Sequence, residues 1–393
     1  MVETGAALNM GEPLRVVFII TGLKTGGAEM MLERLLGALS TAVQPWVISL
    51  TSLGEIGPRL RARGVNVEAL NMRPGLPGLW KFGRLVRRLV RLQPQVVHTW
   101  MYHADLLGGL AARLAGVRAV MWGLRHSNLD PGVNKTATLR VMRLCARLSR
   151  WLPARIACAA VCARNAHIAA GYAAERMVVI PNGFDLQRFL PDPSARGALR
   201  GELGLHAMTP LIGVVGRFDP QKNHRGFATA MQQLHACRPD VHAVLAGAGV
   251  DAGNATLRGW LADAGVDHVC HLLGRRDDLP RLMAALDVLV LPSVGEAFPN
   301  VVGEAMACGV PCAVTDVGDT AEIVGGAGRV VASGDMSALA HAVAEMLDMA
   351  PAQRQSLGAC AMHSVRSRFD IQVVAQQYEH EYRILAAPWP PSN

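Results

Sequence analysis

Short runs of nearly uninterrupted apolar residues recur along this chain. Stretches with helical periodicity separate them, and the whole rhythm starts twice. In the first half the runs are "LRVVFII" (14–20), "PWVISL" (45–50), "QVVHTW" (95–100), "RAVMWG" (118–123), "ARIACAAV" (154–161) and "MVVIPNG" (177–183), with helical stretches such as 103–115 between them. The second half repeats the pattern in "PLIGVVG" (210–216), "VHAVLAG" (241–247), "HVCHLLG" (268–274), "DVLVLPS" (287–293) and "PCAVT" (311–315). Strands that are apolar on both faces and alternate with helices belong to parallel sheets covered on both sides. The predicted fold class is α/β, with two Rossmann-like domains whose parallel sheets face a central cleft. Residues 13–185 form the first domain and 208–365 the second. The segment 186–210, rich in Pro, Gly and charge, connects them. The C-terminal helical segment 366–386 is expected to pack back on the first domain, because Ile371, Val374, Tyr378, Tyr382 and Leu385 share one stripe of its last helix.

At 393 residues, 51% hydrophobic and 18% charged, the chain has the length and composition of a two-domain globular protein and not of a disordered one. Its eight cysteines include no CxxC pair and read as small buried hydrophobes in a reducing compartment. No run approaches 18 apolar residues, and the start of the chain lacks a signal-peptide pattern. These features predict a cytoplasmic protein. The net charge of +8 is uneven: residues 1–185 carry 23 Lys+Arg against 10 Asp+Glu (+13), and the remainder 16 against 21 (−5). The first domain therefore faces something anionic, either a membrane surface or nucleic acid.

In sheets of this type ligands bind beyond the carboxyl ends of the strands. After 14–20 come Gly26 and Gly27, which let backbone approach a ligand at the start of a helix; a plain strand–helix turn is the bland alternative. The absence of GxGxxG there argues against a dinucleotide site. After 210–216, Arg217 and Lys222 flank Pro220. They suit a diphosphate or are simple surface charges. After 287–293, the stretch "GEAFPNVVGEAMACGVPC" places Glu296 before a turn and Glu304 about one turn into a helix expected to run from Pro299 to Gly309. Free amides near Asn300–Val302 would attract an anion. Glu304 suits a vicinal diol, Glu296 a sugar hydroxyl, and a solvated helix-dipole role is the alternative for each.

Taken together, "VIPNGFDLQRF", "VVGRFDPQKNH", "LLGRRDDLPRLMAALDVLVLPS" and "GEAFPNVVGEAMACGVPCAVTD", with "TGGAE" and "WGLRHSN" upstream, resemble the family 4 (group 1) retaining glycosyltransferases of GT-B fold over residues 14–386. The resemblance implies that Arg217 and Lys222 grip a donor diphosphate. It also implies that Glu304 binds the donor ribose and Glu296 lies near the transferred sugar. Phe298, Pro299, Asn300 and Val301 would contact phosphate and sugar, Arg276 would lie beside the nucleobase, and His126 would face the reacting sugar. Gly26 and Gly27 would line the acceptor and phosphate side, with Gly27 also touching the donor. The implied catalytic group is His126, Glu296, Arg217 and Lys222, with no metal and no cofactor. Two positions depart from the pattern: Ala297 replaces the more usual glycine, and Cys162 stands where a serine would cap a helix.

A diphosphate leaves without help from a carboxylic acid, so the two glutamates fit transfer better than hydrolysis, whose carboxylates must flank the scissile bond. A glycoside hydrolase or a non-catalytic nucleotide-sugar-binding module remain alternatives of another class. In "PGLWKFGRLVRRLVRLQP" (77–94), Lys81, Arg84, Arg87, Arg88 and Arg91 alternate with Leu79, Trp80, Phe82 and Leu85. Arg140, Arg143, Arg147 and Arg150 repeat at helical spacing further on. Basic amphipathic helices suit an anionic inner-membrane surface, and ordinary surface helices are the alternative. No nucleic-acid reading motif accompanies the charge. The expected partners are a nucleotide-sugar donor, with UDP as default, and a glycan acceptor. A lipid-linked acceptor, as in capsule, exopolysaccharide or O-antigen assembly, is expected ahead of a small soluble one. Trp100, Tyr102, His103 and Asp105, at the end of 95–100, are either acceptor contacts or strand-end packing.

Overall fold

The computed structural model describes residues 12–72, 76–130 and 134–387, and the chain divides into two compact units. The first unit runs to Gly183 and resumes at Ile371; the second is Phe184–Asp370. Both are α/β, and every strand pairing within the sheets is parallel.

The first sheet contains β1 (Leu14–Ile20), β2 (Val43–Ser49), β3 (Asn66–Ala69), β4 (Val96–Trp100), β5 (Val120–Leu124), β6 (Arg155–Cys158) and β7 (Met177–Val179), in the order β3-β2-β1-β4-β5-β6-β7. One face is covered by the helix Gly27–Ala38 and the C-terminal helix Ile371–Ala386, whose Met31, Leu32, Leu35, Val374, Tyr378 and Tyr382 pack on Phe18, Ile20 and Trp100. The other face carries the helices Leu76–Leu92, Tyr102–Leu114 and Thr136–Leu148 over Val17, Ile19, Val97 and Trp122.

The second sheet contains β8 (Leu211–Val215), β9 (His242–Ala246), β10 (Cys270–Gly274), β11 (Val288–Leu291), β12 (Cys312–Thr315) and β13 (Gly328–Val331), in the order β10-β9-β8-β11-β12-β13. The direction of strand addition reverses between β1 and β4 in one sheet and between β8 and β11 in the other. Those are the topological switch points at which such sheets open a crevice for ligands.

Two strands lie outside the apolar runs, β3 ("NVEA") and β13 ("GRVV"). Both are edge strands, half-exposed, and so lack an uninterrupted apolar signature. The segment 186–210 is not a bare connection. Asp192 accepts a hydrogen bond from Ser194 N, Pro193 occupies the first turn, and a helix runs Pro193–Glu202 within the second unit. Its Arg200 is fully buried and donates to Asp287 at 2.7 Å. The C-terminal boundary also differs from 366: residues Pro351–Phe369 form one helix of the second unit, and the first unit resumes only with the helix from Ile371.

Candidate functional site

The second unit's switch point brings together the residues that leave β8 and β11. Past β8, Asp219 caps a short 3-10 turn, Pro220–Lys222, by accepting from Gln221 N at 2.9 Å. Proline at the first position fits because its missing N–H would have no partner there. Asn223 then adopts a left-handed conformation and accepts from Gly226 N at 3.1 Å, starting the helix His224–Cys237. The aliphatic stem of Lys222 runs back over Gly216, and its ammonium reaches Glu296 Oε1 at 2.5 Å. Glu296 Oε1 also accepts from Ser293 Oγ at 2.8 Å. Both side chains of the Lys222–Glu296 pair are largely buried, 17% and 11% exposed, so solvent screens the pair little.

The loop carrying Glu296 is held against Gly318, whose φ of +60° puts its Cα against the Glu296 carbonyl oxygen; a Cβ there would lie 2.5 Å from it. The helix that follows is Asn300–Ala307. Pro299 is its N-cap and not, as expected, a first-turn residue. The Val302 amide is not free either, since it donates to Pro299 O at 3.1 Å. Glu304 lies mid-helix and is 4% exposed. Burial first, then the Glu304 charge, pushes the Cys308 thiol up to about 12. Gly309, at φ +75°, ends the helix with Val310 N donating to Ala305 O. Phe298 stacks on Phe184 at 6.0 Å and meets Phe369 edge-on at 5.5 Å. Gly303 lies so close to the Phe184 ring that a Cβ there would sit 2.1 Å from it.

Arg217 is 64% exposed and donates to Asp219 at 2.9 Å, so it leans over the same turn that presents Lys222. Arg276 stands apart. Its guanidinium grips Asp278 through two 2.8 Å bonds and Glu202 at 2.6 Å, within a cluster shared with Arg281, and these partners raise its pKa further. The side chain expected beside a nucleobase is thus held in a local ion-pair network. Ala297 sits in the Glu296 loop, where its carbonyl accepts from Asp319 N at 3.0 Å.

In the first unit the corresponding switch point lies past β1 and β4. Gly26 is the N-cap and Gly27 the first residue of the helix Gly27–Ala38, and the Glu29 carboxylate folds back over Gly26. Met101, beyond β4, holds a positive φ of +74°, uncommon for a residue with a side chain. Trp100, Tyr102 and Asp105 prove to be core residues. The Tyr102 hydroxyl lies 2.7 Å from His167 Nε2, and Trp100 is covered by Arg125 at 3.8 Å. Strand-end packing therefore accounts for these three. His103 is half-buried, and burial lowers its pKa. Asp105 accepts from Thr99 Oγ1 at 2.6 Å, while its Oδ2 has no partner among the described residues. Burial, opposed by those hydrogen bonds and by Arg125, lifts its carboxyl to about 8.

Past β5, Arg125 donates to Tyr378 OH at 2.5 Å and to Asn182 at 3.1 Å, and the half-buried His126 follows, its Nε2 3.1 Å from Asn134 Oδ1. Burial lowers the His167 pKa to about 4, with neighbouring His126 a smaller contribution in the same direction. Cys162 is not a cap, since Ala160 occupies that position of the helix Val161–Ala169. Ser293, Asp219, Arg125 and Asn134 are absent from the sequence-derived set. Only Asp219, followed by proline as caps often are, carries a local signal.

Two parallel Rossmann-like sheets, each with chemistry at its switch point, define the architecture of the GT-B glycosyltransferases. The chain belongs to the group 1, family 4 glycosyltransferases: family models described as "Glycosyl transferases group 1" and "Glycosyltransferase Family 4" match residues 209–349 and 25–188. The 2-deoxystreptamine glucosyltransferase of Streptomyces kanamyceticus is 30% identical over 301 residues, 74% of this chain and 77% of that one. An Escherichia coli UDP-Gal:α-D-GlcNAc-diphosphoundecaprenol α-1,3-galactosyltransferase is 30% identical over 240 residues, 59% of this chain and 60% of that one. The alignments span only 51% to 60% of the length of the first three curated relatives. Among solved structures, Anabaena HepE in complex with UDP superposes with a TM-score of 0.83 at 26% identity, covering 94% of this chain and 100% of that one.

Proposed function

We propose that the protein is a retaining glycosyltransferase. It would move a hexose from a nucleotide-diphosphate sugar, with UDP as the nucleotide, to a lipid-linked glycan during cell-surface polysaccharide assembly. The observation that carries this reading is the Lys222–Glu296 contact across the β8–β11 switch point, beside the helix Asn300–Ala307 and the buried Glu304. Lys222, Arg217 and that helix end supply positive charge for a diphosphate, so the reading assigns no metal. Glu296, bonded to Lys222 and Ser293 through Oε1, offers its carboxylate as a hydrogen-bond acceptor for a sugar hydroxyl. Glu304 holds the donor ribose, Phe298 to Val301 meet phosphate and sugar, and Gly26, Gly27 and His126 face the reacting group. The acceptor hydroxyl attacks the anomeric carbon on the face the diphosphate leaves. The C–O bond to phosphate breaks with its electron pair, and the departing phosphate oxygen takes the hydroxyl proton. HepE, crystallised with UDP, and the E. coli relative, named for a UDP-sugar and a diphosphoundecaprenol acceptor, support this choice.

The acceptor side is read from two helices of the first unit. Arg84, Arg87 and Arg91 of Leu76–Leu92, and Arg140, Arg143 and Arg147 of Thr136–Leu148, are exposed, while Leu85, Leu89, Leu139 and Met142 pack inward. The side chain of Leu79 lies outside the described residues. Trp80 and Trp151 stand 78% and 69% exposed near these charges, which suits attachment to the cytoplasmic face of an anionic membrane. Among the described residues no helix is long and apolar enough to cross one. A small soluble acceptor is the second reading, favoured by the S. kanamyceticus relative, named for 2-deoxystreptamine.

Nucleotide release from a panel of UDP-, GDP- and dTDP-sugars, with and without bacterial lipid extract, tests the donor and the acceptor together. Lys222→Ala and Glu304→Ala are each expected to lower turnover by about 100-fold, the scale of losing one transition-state contact. Near-normal turnover in both would remove the site assignment.

A further inference from the structure

We infer that Asn134 is a positioning residue that fixes the imidazole of His126 as its Nε2–H tautomer and so presents Nδ1 as the acceptor at the sugar. The inference rests on the placement of His126 beside the reacting sugar. It adds which ring atom does the work and what sets it.

The side-chain amide of Asn134 leaves no choice of orientation. Its Nδ2 lies 2.8 Å from Asn128 O and 3.0 Å from Asp130 O. Both are backbone carbonyls, which only accept, so a flipped amide would set oxygen against oxygen twice. Oδ1 is therefore the atom 3.1 Å from His126 Nε2. A carbonyl oxygen only accepts, so Nε2 must carry the proton. In the neutral ring the lone pair is then on Nδ1, to which no hydrogen bond is present among the described residues.

The rest of the loop serves the same geometry. Asn134 N donates to Asp130 O, and Asp130 N donates to Asn128 Oδ1 at 2.8 Å. Asn134 thus sits where the loop closes and reads back to His126. On the other side Arg125, held by Tyr378, Asn182 and the Trp100 face, fixes the backbone from which His126 projects. Of the neighbouring charged and titratable groups, Arg125 is engaged by Tyr378, Asn182 and Trp100, and His167 is neutral above about 4 with its ring bonded to Tyr102 and Ala163. Neither competes for Nε2. A neutral acceptor such as Nδ1 can take a hydrogen bond from a sugar hydroxyl without holding the positive charge that would repel a developing oxocarbenium ion.

The test is imidazole 15N NMR on the full-length, substrate-free protein, with the His126 signal identified by its loss in His126→Gln. The expected wild-type signal is neutral Nε2–H, with that proton slow to exchange. Asn134→Asp keeps an oxygen toward Nε2 and adds charge, although its second oxygen gives up the bonds to Asn128 O and Asp130 O, so the His126 pKa should rise by about one unit or more. Asn134→Leu removes the acceptor, and the Nε2 proton should exchange like that of a free histidine. A wild-type Nδ1–H signal, or a His126 pKa and exchange rate unmoved in both variants, overturns the assignment. Because no substrate enters this experiment, its failure leaves the donor reading standing. Conversely, unchanged turnover in His126→Gln would remove the catalytic placement and leave the tautomer intact.

Discussion

Asp105 shows how a single side chain in this protein can be costly and still be kept. Its carboxyl is fully buried, half-satisfied and raised from 3.8 to about 8. The folded state therefore holds a proton that the unfolded chain releases between those values. The stability this contributes is complete below pH 3.8 and is lost as pH rises toward about 8, at up to about 1.4 kcal/mol per unit. Asn at this position cannot ionise. Asp105→Asn should gain stability over the wild type progressively as pH rises from 3.8 to about 8, measured as urea midpoints across that range. A difference independent of pH would mean that the carboxyl does not titrate there. His167 and His224, lowered to about 4 mainly by burial, act in the opposite direction: both proteins lose stability as pH falls below 6.5, and the comparison cancels that loss. At this scale the sequence was informative about residue type and less so about partner. Lys222, Glu296 and Glu304 could be picked out because each lies in the loop past an apolar strand or in the helix that follows it. That Lys222 meets Glu296, or that Arg276 is held by Glu202, depends on contacts more than 70 residues apart in the chain. No local pattern encodes them.

Elements were legible in proportion to their burial. Among the central strands, β4 is deeply buried although it carries His98 and Thr99, and β1, β8 and β11 stand out as apolar runs. The edge strands β3 and β13 carry Glu68 and Arg329 and do not. The helix Pro193–Glu202 was hidden by its composition, although Asp192 followed by Pro193 is a start signal that could have found it. The two basic helices are a separate case. Their apolar stripe packs inward, as in the ordinary surface helices that were the alternative reading, so a membrane role turns on what their exposed stripe meets. Reversing Arg140, Arg143 and Arg147 to Glu touches no buried side chain, and each arginine near an anionic bilayer is worth about 1 kcal/mol of attraction. Co-sedimentation with phosphatidylglycerol vesicles at low salt should fall at least tenfold in this triple variant and be lost by the wild type at high salt. Wild-type binding that is absent at low salt would remove the membrane partner.

At the scale of the whole molecule, the chain leaves the first unit once and returns once, and the two passages lie side by side. Phe184 N donates to Phe369 O at 2.7 Å, and Phe184 bridges Asp370. Phe184 and Phe369 close a single aromatic cluster with Phe298. The polypeptide 184–370 has its own sheet and its own core around Phe227, Met231, Leu245, Leu257 and Val343. Expressed alone it should unfold in one cooperative urea transition and bind UDP by calorimetry. A fragment that folds but takes up no nucleotide would place the donor site elsewhere. The neighbouring ends carry a consequence for descent. A stretch that enters and exits through one doorway behaves as a cassette, and two recombination points in the gene suffice to exchange it. New ligand preferences could then be grafted onto an old first unit without redesigning either core.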